Sequence, residues 1–324
     1  DKALHENSTE TRKITLDIGI PVVNLESPLN GTFTDQNSIE FNYTPIDTNL
    51  DTCILYGNWA GGWHANQTDT NPISGNINSF GPLTIADGFY IWNVWCNDSD
   101  GNSAFNSTNF TLKIDSSPPT SFDLLSPSNN TYSSNLTPLL NWSETTEANF
   151  DNYTILVSTQ PDFSTIDFVY VTTGSTTNSS YQVTSPWAEN QEYYWKVIAY
   201  DTLGHSINST SVFKYTTDTI APIVTSISPP DGYVETSSFS IDFVFNVTDA
   251  NPIENCSVVI DDVMGETDTS ITKDVNQIIT DSLSNGDHNW YILCYDKAGN
   301  SNTCLLYTSP SPRDLSTSRM PSSA

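Results

Sequence analysis

Apolar and polar positions alternate with a period of two along most of the chain, and the alternation repeats as a whole. In the stretch YIWNVWC, Tyr90, Trp92, Val94 and Cys96 fall on one face. The same spacing returns as Tyr193, Trp195, Val197 and Ala199, and again as His288, Trp290, Ile292 and Cys294. A period of two places successive side chains on opposite faces of a β-strand, so each line predicts a strand with one face in a core. Each copy ends in Asp-x-x-Gly, and Gly101, Gly204 and Gly299 suit the positive φ of a tight turn into the next strand. Earlier in each copy stand SIEFNYT, TPLLNWS and SIDFVFNVT. There Ile39, Phe41 and Tyr43 point inward while Glu40, Asn42 and Thr44 point outward.

The segments between these units repeat too. Asp17, Asp115 and Asp218 each open a stretch with Pro four residues later, a short apolar run, a Ser-Pro pair and a turn pair: Asn30-Gly31, Asn129-Asn130 and Asp231-Gly232. Proline in the apolar run fits an edge strand. Short alternating strands, Pro/Gly/Asn turns and no helical period predict an all-β fold of tandem sandwiches. The expected boundaries are 18–116, 117–219 and 220–303. Residues 1–17 read as the last strand of an upstream repeat, because DKALHENST matches DKAGNSNT at Asp296. The third copy stops after its DKAGN turn, without a counterpart of NSTNFTLKID, and is expected to lack its last strand.

Residues 304–324, CLLYTSPSPRDLSTSRMPSSA, break the pattern and hold two of the three arginines. Back-translated, both ends read as sequencing adapter, so this segment is expected to be a disordered, adapter-derived tail outside the fold. Setting it aside leaves Cys53, Cys96, Cys256 and Cys294. Cys53 begins a core strand and Cys96 ends another, as do Cys256 and Cys294. In an antiparallel pair those ends are neighbours, which predicts Cys53–Cys96 and Cys256–Cys294 disulfides and an oxidising compartment.

The middle copy resembles a fibronectin type III domain, on Trp142, YTILVSTQPDFS, Trp187 and YYWKVIAYDTLG. The outer copies are similar to Ig-like modules of prokaryotic (archaeal or bacterial) secreted or cell-surface proteins, on DGFYIWNVWCNDSDGN. The resemblance implies tandem Ig-like and fibronectin-like sandwiches and no particular activity. It also implies a corner tyrosine at Tyr90 and Tyr193. His288 holds that place in the third copy, which leaves a corner hydrogen bond there an open question.

The net charge is -28, from 38 acidic and 10 basic residues. This argues against nucleic-acid binding, and no apolar run reaches the ~18 residues of a membrane span. The four histidines form no metal-ligand pair, and no nucleophile or phosphate-loop motif appears, so no catalytic residue is assigned. CNDSDGN at Cys96 misses calcium-loop spacing and reads as a turn. No cofactor is required. Calcium at the domain junctions is the one ion considered, with Asp17, Asp115 and Asp218 as its candidates and a plain linker carboxylate as the alternative. Trp59 and Trp63 on a Gly-rich loop are a candidate ligand platform, unless they fold back over the sandwich. Fifteen of 33 asparagines sit in N-x-S/T, and Asn42, Asn141 and Asn246 share one outward strand position suited to a glycan.

Together these features predict a non-enzymatic, rod-like spacer or adhesion segment of a larger extracellular or cell-surface protein, with a surface protein or glycan as partner. Two other readings stand beside it: spacer modules of an extracellular hydrolase whose catalytic domain lies outside this segment, and a carbohydrate-binding module using Trp59 and Trp63.

Overall fold

A computed structural model describes residues 12, 14 and 16–304. The segments expected to be an upstream strand remnant (1–17) and a tail (304–324) therefore lie largely outside the described residues. All regular elements among the described residues are β-strands. The chain divides into two compact units, residues 1–118 with 203–205, and the remainder.

The first unit holds one sandwich. Its strands are β1 (Val22–Ser27), β2 (Thr32–Thr34), β3 (Ser38–Ile46), β4 (Leu50–Gly57), β5 (His64–Asp69), β6 (Asn78–Thr84), β7 (Gly88–Asp98), β8 (Ser103–Phe105) and β9 (Phe110–Ile114). One sheet runs β1-β3-β6, and the other runs β2-β9-β7-β4-β5 with β8 against β7. The strand β1 is an edge, as its flanking proline requires.

The second unit holds two sandwiches. In the first of them, β10 (Leu124–Ser126), β12 (Leu139–Trp142) and β15 (Ser180–Gln182) form the smaller sheet. The larger sheet contains β11 (Thr131–Ser133), β13 (Phe150–Ser158), β14 (Phe168–Thr173), β16 (Glu192–Asp201), β17 (Ser206–Asn208) and β18 (Phe213–Thr217), ordered β11-β18-β16-β13-β14 with β17 on β16. In the other, β19 (Ile223–Ser228), β20 (Ser240–Thr248) and β23 (Asn276–Ser282) face β21 (Ile253–Ile260), β22 (Val263–Asp268), β24 (Trp290–Asp296) and β25 (Ser301–Thr303). Its larger sheet runs β22-β21-β24-β25 and has no counterpart of β2 or β9 among the described residues.

The alternation decides which side chains fill each core. Ile39, Phe41 and Tyr43 are buried along β3, and Trp92, Val94 and Cys96 along β7. Trp195, Val197 and Ala199 repeat this along β16. The larger aliphatic and aromatic side chains among these, such as Ile39, Phe41, Val94 and Val197, contribute about 1.5–3 kcal/mol each on burial. The indole N–H groups of Trp92 and Trp195 have no hydrogen-bond partner among the described residues. That costs on the order of 1–3 kcal/mol each, which their large apolar area offsets.

The corner positions and Cys304 bear on the sequence reading, and only the placement of Cys304 is corrected. Tyr90 Oη donates to the carbonyl of Ala86, four residues back, at 2.9 Å. His288 Nε2 lies 3.0 Å from the carbonyl of Ser284, also four residues back, so the imidazole makes a contact in that place. Cys304, assigned by sequence to the tail, is instead buried in the third core, where the Ser226 hydroxyl donates to its sulfur at 2.7 Å. A thiol is small and apolar enough to fill that position.

Candidate functional site

Carboxylates gather where strands end. At the end of β7, Asp98 is 1% exposed and opens the Asp-x-x-Gly turn. Its Oδ1 accepts the Asn102 N–H at 2.8 Å and its Oδ2 accepts the Asn102 amide at 2.8 Å. The Asn102 amide, followed by backbone N–H groups, holds this carboxyl below its usual range. Asp47 lies between β3 and β4, where its Oδ1 accepts the Asn49 N–H at 3.0 Å. Asp17 accepts the Gly19 N–H at 2.8 Å. Carboxylate oxygens of Asp17, Asp47 and Asp98 lie within 4.8 Å of one another.

The third sandwich places the same residue types at the same points. Asp296 ends β24, and its Oδ1 and Oδ2 accept from Asn300 N and Nδ2 at 2.9 and 2.8 Å. Asn300 Nδ2 also donates to the Asp218 carbonyl at 2.9 Å, tying the connecting segment to the turn. Asp249 Oδ1 accepts the Asn251 N–H at 2.7 Å, and Asp218 Oδ1 accepts the Ile220 N–H at 3.1 Å. The second carboxylate oxygens of Asp218 and Asp249 are buried without a hydrogen-bond partner. Burial first, and then the charge of Asp296, raises the pKa of Asp218. Burial first, and then the charges of Asp218 and Asp296, raises that of Asp249.

Only part of this set was named from sequence. Asp17 belongs to the one group of three, among the described residues, whose oxygens lie this close, and Asp218 lies on the connecting segment that Asn300 holds. Asp115 is buried, with its N–H donated to the Thr34 carbonyl at 3.0 Å. Asp47, Asp98, Asp249 and Asp296 were missed. The signal lay in the repeat register: Asp47, Glu147 and Asp249 each stand two residues before an asparagine, and Asp98, Asp201 and Asp296 each open the Asp-x-x-Gly turn. In the second sandwich Glu147 Oε1 accepts the Asn149 N–H at 2.8 Å, repeating the first of these turns.

The two loop tryptophans do not form one platform. Trp59 turns inward and stacks on Phe41, with ring centroids 5.1 Å apart. Gly57 makes room for it, since a Cβ there would lie 2.0 Å from the Trp59 ring. Trp63 stays 41% exposed and stacks on Tyr56 at 5.8 Å, with Phe105 at 6.3 Å. Asn42, Asn141 and Asn246 are half-buried on the central strands β3, β12 and β20 of the three smaller sheets.

Cys53 and Cys96 are directly opposite in the β4–β7 register and joined, with Cα atoms 4.1 Å apart. Cys256 and Cys294 are likewise opposite and joined between β21 and β24. Tyr153 and Ala199 fill this register position in the second sandwich. There the Tyr153 hydroxyl accepts the Thr145 N–H at 2.9 Å and donates to the Thr176 carbonyl at 3.0 Å.

No protein-family model and no curated protein matches this chain. Among solved structures, it is similar to the fibronectin(III)-like modules of Clostridium thermocellum CbhA, with 15% identity over 61% of this chain and 94% of that one, and a TM-score of 0.30. A tetra-tandem repeat from the extending region of a large adhesion protein matches with 19% identity over 88% of this chain and 72% of that one, at 0.33. A structure from a 1.5-MDa bacterial ice-binding adhesin matches with 14% identity over 89% and 96%, at 0.35. At these identities the likeness concerns the fold, which is all-β, with sheets paired as sandwiches.

Proposed function

We propose that this chain is a non-catalytic spacer segment of a secreted or surface-anchored prokaryotic protein, holding other parts of that protein away from the envelope or contributing to adhesion. One observation carries the reading: the same sandwich recurs with the same register at equivalent positions. Cys53 opposite Cys96, Tyr153 opposite Ala199 and Cys256 opposite Cys294 are three versions of one cross-strand pair. Repetition of a whole domain lengthens a chain without building a new site. In the second unit, the segment between β18 and β19 is held by Asn300 on the Asp218 carbonyl and by Asn302 on the Pro222 carbonyl, which limits its freedom. The strongly acidic composition keeps such an array soluble and apart from its neighbours. The disulfides suit an extracellular location. No helix among the described residues is long and apolar enough to cross a membrane.

The test places the chain between a cell-surface anchor and an epitope tag on cells that carry a dense surface layer. Antibody access to the tag should rise relative to a flexible linker of equal length; equal or lower access would overturn the spacer role. A second reading, carbohydrate binding, rests on the exposed Tyr56–Trp63–Phe105 group, because stacked aromatic rings at a surface suit the apolar face of a sugar.

A further inference from the structure

We propose that Asn285 is a site of spontaneous covalent modification, converting through a cyclic imide to aspartate and isoaspartate, and that the fold directs this chemistry to Asn285 while shielding Asn30. An asparagine followed by glycine is the pair most open to the reaction, because no Cβ on the next residue hinders its backbone nitrogen. The chain carries two such pairs, Asn30-Gly31 in the turn before β2 and Asn285-Gly286 in the loop between β23 and β24. Residue type alone ranks them equally.

The structure separates them. Asn30 Oδ1 accepts the Thr111 N–H at 2.9 Å and the Thr111 hydroxyl at 3.0 Å. The Gly31 N–H, whose nitrogen would have to attack, donates to the Thr111 carbonyl at 2.9 Å. Thr111 belongs to β9, so the sheet holds both reacting groups of this pair apart. Asn285 and Gly286 are both exposed. Among the described residues, neither the Asn285 side chain nor the Gly286 N–H makes a hydrogen bond. Gly286 has a φ of 146°, a conformation that a residue with a side chain rarely adopts, so the backbone itself favours glycine here. A Cβ built at Gly286 would meet only His288 Nε2, at 4.0 Å, which leaves the approach to its nitrogen open.

The chemistry needs nothing but water. The Gly286 nitrogen gives up its proton and bonds to Asn285 Cγ, while the Cγ–Nδ2 bond breaks and the side-chain nitrogen leaves as ammonia with that proton. Water then opens the five-membered imide. Cleavage at Cγ yields aspartate, and cleavage at the main-chain carbonyl yields isoaspartate, whose main chain runs through Cβ and Cγ. Nothing is oxidised or reduced. Either product adds a negative charge to a loop that already carries Asp287 and the His288 ring bound to Asp261.

The full chain would be incubated in warm, mildly alkaline buffer, digested at intervals and followed by peptide mass spectrometry, with isoaspartate resolved from aspartate by chromatography. Asn285 should convert about 10–100 times faster than Asn30, since reaction at Asn30 first requires its hydrogen bonds to Thr111 to break. In urea with a reductant, where the fold is lost, the two should convert at comparable rates. Asn285→Gln should leave its peptide unconverted, because the longer side chain closes the ring less readily. Equal native rates or a faster Asn30 would overturn the proposal. So would an Asn285 that stays intact in the native chain while the unfolded chain converts, or a mass gain that persists in the Asn285→Gln peptide. None of these outcomes depends on the reach of the array.

Discussion

Replacing both cysteines of one sandwich by alanine tests the repeat register in energetic terms. Cys53 and Cys96 are 43 residues apart, and Cys256 and Cys294 are 38 apart. Closing loops of these lengths removes about 13 cal/mol/K of denatured-state entropy in each case, or about 4 kcal/mol at 25 °C. Because each bridge links adjacent, already hydrogen-bonded strands of one sheet, its effect falls on the unfolded chain more than on the packing between sheets. For a sandwich of roughly 100 residues, about 4 kcal/mol corresponds to a fall in melting temperature of some 16–32 °C. Calorimetry of Cys53→Ala/Cys96→Ala should therefore show one transition moving down by that amount. The transition of the second sandwich should stay, because Tyr153 and Ala199 need no bridge. Reduction of the wild-type chain should move two transitions and leave the third. If all three transitions moved together, or if the double variant shifted by less than about 5 °C, the loop-entropy argument would fail.

The loop aromatics should separate cleanly. Trp59→Ala should cost about 3 kcal/mol, and Gly57→Ala should also destabilise by about 1–3 kcal/mol because its Cβ meets the Trp59 ring, both measured by urea unfolding. Trp63→Ala should cost about 1 kcal/mol or less, and should abolish whatever binding to a glycan array the wild type displays. The hydrogen bond that His288 Nδ1 donates to the Asp261 carboxylate raises the pKa of His288, so its share of stability is fully present below the unfolded value of about 6.5 and fades as pH rises through the folded value. An NMR titration of the His288 ring should give a midpoint above 6.5, and a midpoint at or below it would remove the Asp261 contact from the account. Produced in a host with N-linked machinery, the chain should carry glycans at Asn42 and Asn141; mass spectrometry finding both bare while loop sites are filled would mean that the outer face of those sheets is covered.

Much of the fold was legible because a period of two is a direct consequence of strand geometry. Ile39, Phe41 and Tyr43 fell inward as the alternation demanded, and so did Trp92, Val94 and Cys96. The alternation failed at Asn93, a position it places outward, because the amide is buried to hold the β8–β9 connection: it donates to the Asn106 carbonyl at 2.9 Å and to Asn109 Oδ1 at 2.8 Å. The carboxylate clusters were half legible. The linker aspartates stand out because they repeat beside prolines, but Asp47 and Asp98 sit on turns that only the β4–β7 register brings together. The inward turn of Trp59 was one of the two readings open for its loop, and the absent side chain of Gly57 is what makes room for it.

Small-angle scattering of the full chain tests the spacer reading most directly. A single compact body of 324 residues would have a radius of gyration of about 20 Å. The 11-residue strand β7, at ~3.3 Å per residue, makes the first sandwich about 36 Å long. Three placed end to end approach 110 Å, which for a rod gives a radius of gyration of about 30 Å. An array that acts as a spacer should give a value near 30 Å with the skewed distance distribution of an elongated particle. A value near 20 Å with a symmetric distribution would mean that the sandwiches fold back on one another, and the spacer reading would be wrong.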